Sequence, residues 1–277
     1  MKNNKFTYFN FLPSFSWLFI FSFLPLIIVV IYSLVHNLRT SGASIEFTGI
    51  YYINFFSRNS LLFLFRTIST SFIVSLSLLF LSLPFVYYLD KNPKYSKLFL
   101  ILILIPFLTN TLLRLYSITF LFRDSGLINS LLGTEISFLY NEKATIISFV
   151  YIYFPYMVLP LYNAFQEYNK SYHTISNDIG MDTFSYLKKI KLPIMWKGIF
   201  NSFSLVFLLT VGDFLIPQII GGAKKLYFSN VIFNYFTKGL NWSKGAANSV
   251  LLIILSLTFL FVLNVIARKI LQFKQSK

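Results

Sequence analysis

Two charged residues stand inside long apolar runs, where a charge needs a specific partner. Arg114 lies in the apolar run 98–122, and Asp213 lies in the run 199–220. On insertion scales each charge costs roughly 2.5–3.5 kcal/mol if it faces lipid, so both side chains are expected to face the protein interior or water. Along ideal helices the two positions lie about 24 and 21 Å from the starts of their runs, at nearly the same level. We expect them either to form an ion pair that fixes helix packing or to line one aqueous passage, where Asp213 would dock a cationic solute.

The chain lacks the residue patterns of the common membrane enzymes. It has no cysteine and only two histidines, His36 and His173, which are far apart and have no H-E-x-x-H spacing. The nine acidic residues include no D-x-x-D pair that could hold metal-bound phosphates. No G-x-x-x-x-G-K-[ST] occurs, so the chain has no P-loop for ATP. We therefore expect no catalytic residue, metal site or cofactor in this chain.

Composition indicates an integral membrane protein. Of 277 residues 56% are hydrophobic and only 12% are charged, about half of the charged share in soluble domains. A hydrocarbon core ~30 Å thick needs about 20 apolar residues in a helix. Six runs reach that length: 11–35, 67–89, 98–122, 144–165, 199–220 and 246–267. The predicted fold class is all-α, with six transmembrane helices in a single domain 1–277 whose core is about 60–270.

The basic residues predict the orientation of these helices. The net charge is +15, and 14 of the 24 Lys and Arg residues fall at the N-terminus, in 90–97, in 167–198 and in 268–277. Cytoplasmic loops carry such an excess, so both termini and the loop 167–198 are predicted to be cytoplasmic. A membrane explains the charge more simply than nucleic acid does. The first run is too long for a cleaved signal peptide and is predicted to stay in place as an anchor.

The loop 167–198 contains a polar and basic segment, residues 174–193, that is typical of a short amphipathic helix. Asp182 is a candidate N-cap, and Pro193 is expected to end the helix. Three apolar residues share one face at three-residue spacing: Phe184, Leu187 and Ile190. Such a helix between two membrane helices can lie on lipid, dock into a partner, or serve as a plain connection.

The spacing of Gly180, Ile190, Leu192 and Pro193 resembles the EAA loop of bacterial ABC importer permeases. Asp178 stands where that family commonly has Asp. The resemblance implies that these residues, with Phe184 and Leu187 on the apolar face, form a coupling helix that sits in a cleft of an ATPase subunit. The Glu-Ala-Ala that names the loop is absent, because residues 174–176 are Thr-Ile-Ser.

Further motifs resemble one family, the spermidine/putrescine permeases of the PotB type. They are PFLTNTLLRLY at 106–116, GDFLIPQIIGGAKK at 212–225, and the positions of Asn230, Phe236 and Trp242 through Ala247. The resemblance covers roughly residues 60 to 270. It implies a substrate pathway that includes Thr109, Asn110, Arg114, Tyr116 and Asp213. It also implies a second permease subunit in a heterodimer, an ABC ATPase, an extracytoplasmic solute-binding protein and a polyamine substrate, in a bacterial inner membrane.

Three departures from the family bear on the substrate. Leu108 stands where an aromatic residue is usual, Asn241 where an acidic residue is usual, and Lys244 adds a nearby positive charge. Polyamines are held by carboxylates and aromatic faces, so another solute, such as thiamine, ferric iron or an opine, stays open as an alternative. An integral membrane transferase is the alternative from another class, against which the scattered acidic residues argue.

Overall fold

The computed structural model describes residues 4–36, 46–133, 138–167, 180–222 and 226–275. Nearly all of them are helical, and the only β pairing in this part of the chain is an isolated antiparallel bridge between Val35 and Phe47. The helices are α1 Asn4–Ser33, α2 Ile50–Asn54, α3 Arg58–Lys91, α4 Pro93–Phe107, α5 Thr111–Phe122, α6 Leu127–Leu132, α7 Glu142–Glu167, α8 Thr183–Tyr186, α9 Leu192–Ile194, α10 Trp196–Gly212, α11 Leu215–Ile219, α12 Phe228–Thr237 and α13 Trp242–Gln275.

The chain divides into two compact units, and the smaller one comprises Met1–Leu62 and Val231–Leu255. In this unit the Ser33 hydroxyl at the end of α1 is 2.7 Å from the Tyr52 hydroxyl in α2. The Trp242 ring at the start of α13 lies 6.2 Å from the Tyr32 ring. From Phe15 to Ile31, where the structure describes the side chains of α1, most apolar ones are exposed, which suits a helix in lipid.

The larger unit comprises Phe63–Asn230 and Ser256–Lys277. Within it α7 packs along α10, and buried side chains form two apolar clusters. One cluster includes Leu78, Leu115, Ile152, Val206 and Ile216, and the other includes Val86, Leu161, Phe165, Met195 and Ile199. Three serines of α3, Ser71, Ser75 and Ser82, are also buried, as small polar residues at close helix contacts are expected to be.

Among the residues that the structure describes, four helices are long and apolar enough to cross a membrane: Phe15–Ser33, Arg58–Lys91, Glu142–Glu167 and Trp242–Ile270. They account for the first, second, fourth and sixth predicted runs. The third run is a bent pair of helices, and α10, at 17 residues, is a shorter apolar helix. The third and fifth runs are therefore not single straight helices, and the six crossings themselves stay a prediction.

The third run is broken at residues 108–110, where the helices on either side are bent by 89°. The Thr109 hydroxyl donates to the Pro106 carbonyl at 2.6 Å, and the Asn110 side chain accepts from the Leu112 N–H at 2.8 Å. Asn110 is thus the N-cap of α5 and satisfies an N–H that the break would leave unpaired, while the Thr109 hydroxyl adds a second donor to the Pro106 carbonyl. The estimate that Arg114 lies about 24 Å along a straight helix is wrong for the same reason.

The fifth run is broken after Gly212. Asp213 has an extended backbone, with φ −75° and ψ 124°, and its Oδ1 accepts from the N–H groups of Leu215 and Ile216 at 2.7 and 3.2 Å. A carboxylate in this position caps the start of α11 and suits its dipole. The residue predicted to be a charge within a helix is therefore a charge at a helix boundary.

One close contact between α7 and α10 depends on a glycine. A Cβ added to Gly198 would lie 2.2 Å from the Cβ of Ala164, whereas a Cβ added to Gly212 at the end of α10 would meet nothing within 4 Å. The two helices can approach this closely because Gly198 has no side chain.

We expect Gly198→Ala to lower the thermal stability of the purified protein, because overpacking of this kind costs about 1–3 kcal/mol. The matched control, Gly212→Ala, should leave the melting temperature within a degree or two of the wild type. Fluorescence-detected gel filtration after heating measures both. Equal melting temperatures for the two variants would contradict the close packing at Gly198.

Candidate functional site

The basic segment, residues 174–193, is described from Gly180 onward. Gly180 has φ +69°, in the left-handed region that a glycine adopts at little cost. A Cβ built there would meet nothing within 4 Å. The glycine is therefore needed for its backbone conformation and not for close approach of another group.

Asp182 begins the helix, as predicted. Its Oδ2 accepts from the Ser185 N–H at 3.0 Å, and its carbonyl accepts from the Tyr186 N–H at 2.9 Å. These are the contacts of an N-cap residue, so that prediction is confirmed.

Pro193 does not end the helix, so that prediction is wrong. After α8 the chain forms a π-helical turn, Leu187–Lys191, and continues into α9 with Pro193 in its first turn before bending at Met195. A proline is tolerated in a first helical turn because the N–H groups there lack intrahelical acceptors anyway. The π turn has one extra residue per hydrogen-bonded turn, so it shifts the positions of the backbone donors and acceptors just before the proline.

The segment is held against the membrane helices by apolar packing. Tyr186 is buried in the second cluster, and Met181, Ile190 and Leu192 pack on it while half-buried. Ile190 and Leu192, which the resemblance assigns to ATPase coupling, therefore lie partly against this chain. Asp178 lies outside the described residues, and for Phe184 and Leu187 the structure describes only the backbone, in α8 and the π turn.

A buried ion pair ties the same segment to α3. The ammonium of Lys191 lies 2.6 Å from Oδ2 of Asp90, and the two side chains are 5% and 13% exposed. The ammonium also lies 4.5 Å from the Phe165 ring and 5.5 Å from the Tyr87 ring, within cation–π distance. Because a buried charge without its partner is strongly unfavourable, this pair fixes where the segment sits.

Asp213 is half-buried and connects three parts of the larger unit. Its Oδ2 accepts from the Tyr153 hydroxyl of α7 at 2.7 Å, while Oδ1 caps α11. Its carbonyl accepts from the Ser229 hydroxyl of α12 at 2.8 Å. The carboxylate is thus fixed in place by hydrogen bonds and still has lone pairs for a further donor.

Aromatic rings extend from Asp213 toward the break between α4 and α5. The Tyr153 ring lies 5.6 Å from the Tyr156 ring, which lies 4.9 Å from the Phe107 ring. Phe107 is the last residue of α4 and comes two residues before Thr109. The two breaks in the larger unit are therefore joined by a row of aromatic faces.

Arg114 is buried, at 7% exposure, and does not pair with Asp213 among the described residues. Its Nη2 donates to the Thr111 hydroxyl at 3.0 Å, and its Nε has no protein acceptor in this part of the chain. The side chain lines two cavities of about 350 and 270 Å³, which both also include Tyr151. The ion-pair alternative is thus wrong, and the shared passage stays a prediction.

Thr109, Asn110 and Tyr116, the other predicted pathway residues, are exposed. Thr109 and Asn110 form the break, and Tyr116 projects from α5 with 63% of its surface accessible. Within the described residues no three His, Cys, Asp or Glu side chains come together in a way that could hold a metal ion.

Comparison with known proteins identifies the family. No protein-family model matches the chain. The spermidine/putrescine transport system permease protein PotB of Haemophilus influenzae is 32% identical over 267 residues, which cover 94% of this chain and 93% of that protein. The chain belongs to the PotB family. The PotB of Escherichia coli is 31% identical over 245 residues, covering 86% of this chain and 89% of that protein.

Solved structures show the same fold. A chain of a bacterial ABC transporter that imports the acidic polysaccharide alginate superposes with a TM-score of 0.68, at 16% identity and with 96% of both chains covered. This PotB family member is therefore an all-α integral membrane protein of the ABC importer permease fold. It is a multi-pass inner-membrane transport subunit of an ABC importer, and not an enzyme.

In this PotB family member, sequence reasoning missed three contact partners: Tyr153, which bonds to Asp213, and Asp90 and Lys191, which pair at the basic segment. No pattern distinguishes Tyr153 from the other 17 tyrosines. Asp90 is one charge beside a membrane helix, and Lys191 is expected only to favour the end of the amphipathic helix by its charge. The sequence around Asp90 gives little indication of its partner. Asp90 begins the basic stretch 90–97, so a lysine of that stretch is the partner that local sequence would suggest.

Removing the cap of α5 should destabilise the helix boundary at residues 108–110. We expect Asn110→Ala to destabilise the protein by about 1 kcal/mol, because the Leu112 N–H loses its acceptor, while Asn110→Asp retains the cap. Thermal unfolding of the two variants in one detergent measures the difference. If the alanine and aspartate variants melt together, Asn110 does not support the break.

Proposed function

We propose that this permease moves polyamines, spermidine or putrescine, into the cytoplasm. The curated relatives at about 30% identity are named as spermidine/putrescine permeases. The observation that carries the proposal is the half-buried carboxylate of Asp213 beside the Tyr153–Tyr156–Phe107 row of rings. A carboxylate and aromatic faces are the two groups that attract ammonium ions, and a polyamine carries several ammonium groups along a flexible chain.

The proposed pathway runs between the two helix breaks. An ammonium group would take the remaining lone pairs of Asp213, while the methylene chain lies along the rings toward Thr109 and Asn110. Non-helical backbone is tolerated at membrane depth where it lines a cavity, and both breaks fit that role. We assign Tyr116 to the same surface. Arg114 would repel an ammonium, so we assign it to the wall of the pathway, where it limits the route of a cation.

The energy would come from a separate ATPase subunit, because the chain contains no P-loop. We propose that this ATPase binds the basic segment on the cytoplasmic side through Gly180, Asp178, Phe184, Leu187, Ile190, Leu192 and Pro193. A second, distinct permease would complete the pathway, and an extracytoplasmic binding protein would deliver the solute. In this scheme both termini are cytoplasmic, six crossings form this half of the pathway, and transport proceeds by alternating access.

Removing the charge of Asp213 should impair transport without changing the fold. Asn can still accept from the Leu215 N–H, so Asp213→Asn should reach the membrane at wild-type level. Its polyamine uptake should fall about tenfold, because a charge-assisted hydrogen bond is stronger than a neutral one by about 1–1.5 kcal/mol. Uptake of radiolabelled spermidine into proteoliposomes that contain the whole transporter measures this.

Tyr153→Phe is the control, because it removes one hydrogen bond and keeps both the carboxylate and the ring. Its uptake should stay within about threefold of the wild type. A wild-type rate for Asp213→Asn would contradict the role of the carboxylate. A wild-type transporter that imports another solute and not spermidine would contradict the substrate assignment.

The left-handed backbone at Gly180 gives a test of coupling. Gly180→Val should uncouple ATP hydrolysis from uptake, because a β-branched residue is strained at φ +69°, by about 1–2 kcal/mol or more. Gly180→Asn should keep coupling, because asparagine tolerates this region. The measurement is the uptake of solute per ATP hydrolysed, and an unchanged ratio in the valine variant would refute the role of this turn.

A further inference from the structure

Two lysines near the end of the basic segment, Lys189 and Lys191, have described side chains with very different surroundings. Lys189 is exposed, whereas Lys191 is 4% exposed and bonded to Asp90 at 2.6 Å. The ammonium of Lys191 also lies near Tyr87 of α3 and Phe165 of α7. One buried charge thus joins the segment to α3 and α7 in the larger unit.

The far end of α3 reaches the region of Asp213. The Thr67 hydroxyl accepts from the Phe228 N–H at 2.8 Å, and Arg66 donates to the Leu226 carbonyl at 3.4 Å. Ser229, which directly follows Phe228 in the chain, donates to the carbonyl of Asp213 at 2.8 Å. From residue 67 to residue 90, α3 spans about 35 Å as an ideal helix. The helix is therefore bonded at one end to the basic segment and at the other to the start of α12, beside the break at Asp213.

We propose that the Lys191–Asp90 ion pair passes movement of the basic segment to α3, and through α3 to the helix break that contains Asp213. The inference rests on the proposed function, in which an ATPase moves this segment. The two residues are positioning residues: they act through α3 and do not contact the solute. A buried pair suits this role because an unpaired charge left inside the protein is costly, so the two elements move together.

Substitutions at Asp90 and Lys191 together distinguish two possible roles for Lys191. If the lysine contacted the ATPase directly, Asp90 would be dispensable. If it acts through α3, the loss of either partner should have the same effect. Lys189, two residues away and exposed, offers a matched control for the loss of one positive charge in the same segment.

The experiment uses the complete transporter in proteoliposomes, with uptake and ATP hydrolysis measured together. We expect Lys191→Met and Asp90→Asn to keep the ATPase subunit bound and hydrolysis within about twofold, while uptake per ATP falls about tenfold. Lys191→Arg, which keeps the charge and the ring contacts, and Lys189→Met should both keep the wild-type ratio. The exchanged pair, Asp90→Lys with Lys191→Asp, should recover to within about threefold of the wild type.

A second readout follows the movement itself. The chain has no cysteine, so Leu226→Cys introduces a single thiol where Arg66 of α3 bonds to the chain. Its rate of labelling should change between ATP-bound and nucleotide-free transporter, and Lys191→Met should abolish that change. This readout decides the question even if the exchanged pair fails to accumulate in the membrane.

Three results would overturn the inference alone: a wild-type ratio in Asp90→Asn, loss of the ATPase from Lys191→Met but not from Asp90→Asn, or ATP-dependent labelling that persists in Lys191→Met. If the wild-type transporter recruits no ATPase through this segment, the proposed function fails, and the inference fails with it. If the wild type imports a solute other than a polyamine, only the substrate assignment fails, because uptake per ATP can be measured with that solute.

Discussion

The need to satisfy every backbone hydrogen bond inside a membrane explains the most unusual parts of this structure. A helix in lipid can be interrupted only where other groups replace its lost hydrogen bonds. The described part of the larger unit has such interruptions at residues 108–110 and at Asp213. At the first, Asn110 accepts from the Leu112 N–H and the Thr109 hydroxyl adds a donor to the Pro106 carbonyl. At the second, Asp213 caps α11 while Asn230 and Ser229 donate to the carbonyls of residues 214 and 213. Three polar residues of the candidate pathway, Thr109, Asn110 and Asp213, thus also bond to the backbone at the breaks.

Much of the helical framework could be predicted from the sequence, because apolar length alone determines it. The runs 67–89, 144–165 and 246–267 lie within α3, α7 and α13, and Asp182 was recognisable as a cap from its side chain and position. The third and fifth runs could not be predicted as broken from hydropathy, since capping residues occupy too few positions to change an average over 20 residues. The signal was local: Thr-Asn soon after Pro106, and Asp directly after Gly212.

The sequence offers Asp213 as a candidate, but it does not indicate the contacts of that residue. Asp213 was found because a charge in an apolar run is costly, but its partner Tyr153 is 60 positions away and no local pattern points to it. Lys191 and Asp90 are 101 positions apart. Pro193 was misread because a proline usually follows the end of a helix, whereas here it lies in the first turn of a new one, after a π turn that no propensity rule predicts. Contacts of this kind depend on tertiary packing and not on spacing.

In the proposed pathway, the hydrogen bonds that already occupy Asp213 would also limit how long a cation stays there. Three donors, the Tyr153 hydroxyl and two backbone N–H groups, share the carboxylate before any solute arrives. A cation would therefore bind a carboxylate whose negative charge is partly compensated, and its binding free energy would be smaller than at a carboxylate without hydrogen bonds. Shallow binding shortens the dwell time. For a transporter this is an advantage, because a solute bound too tightly within the pathway would slow every turnover.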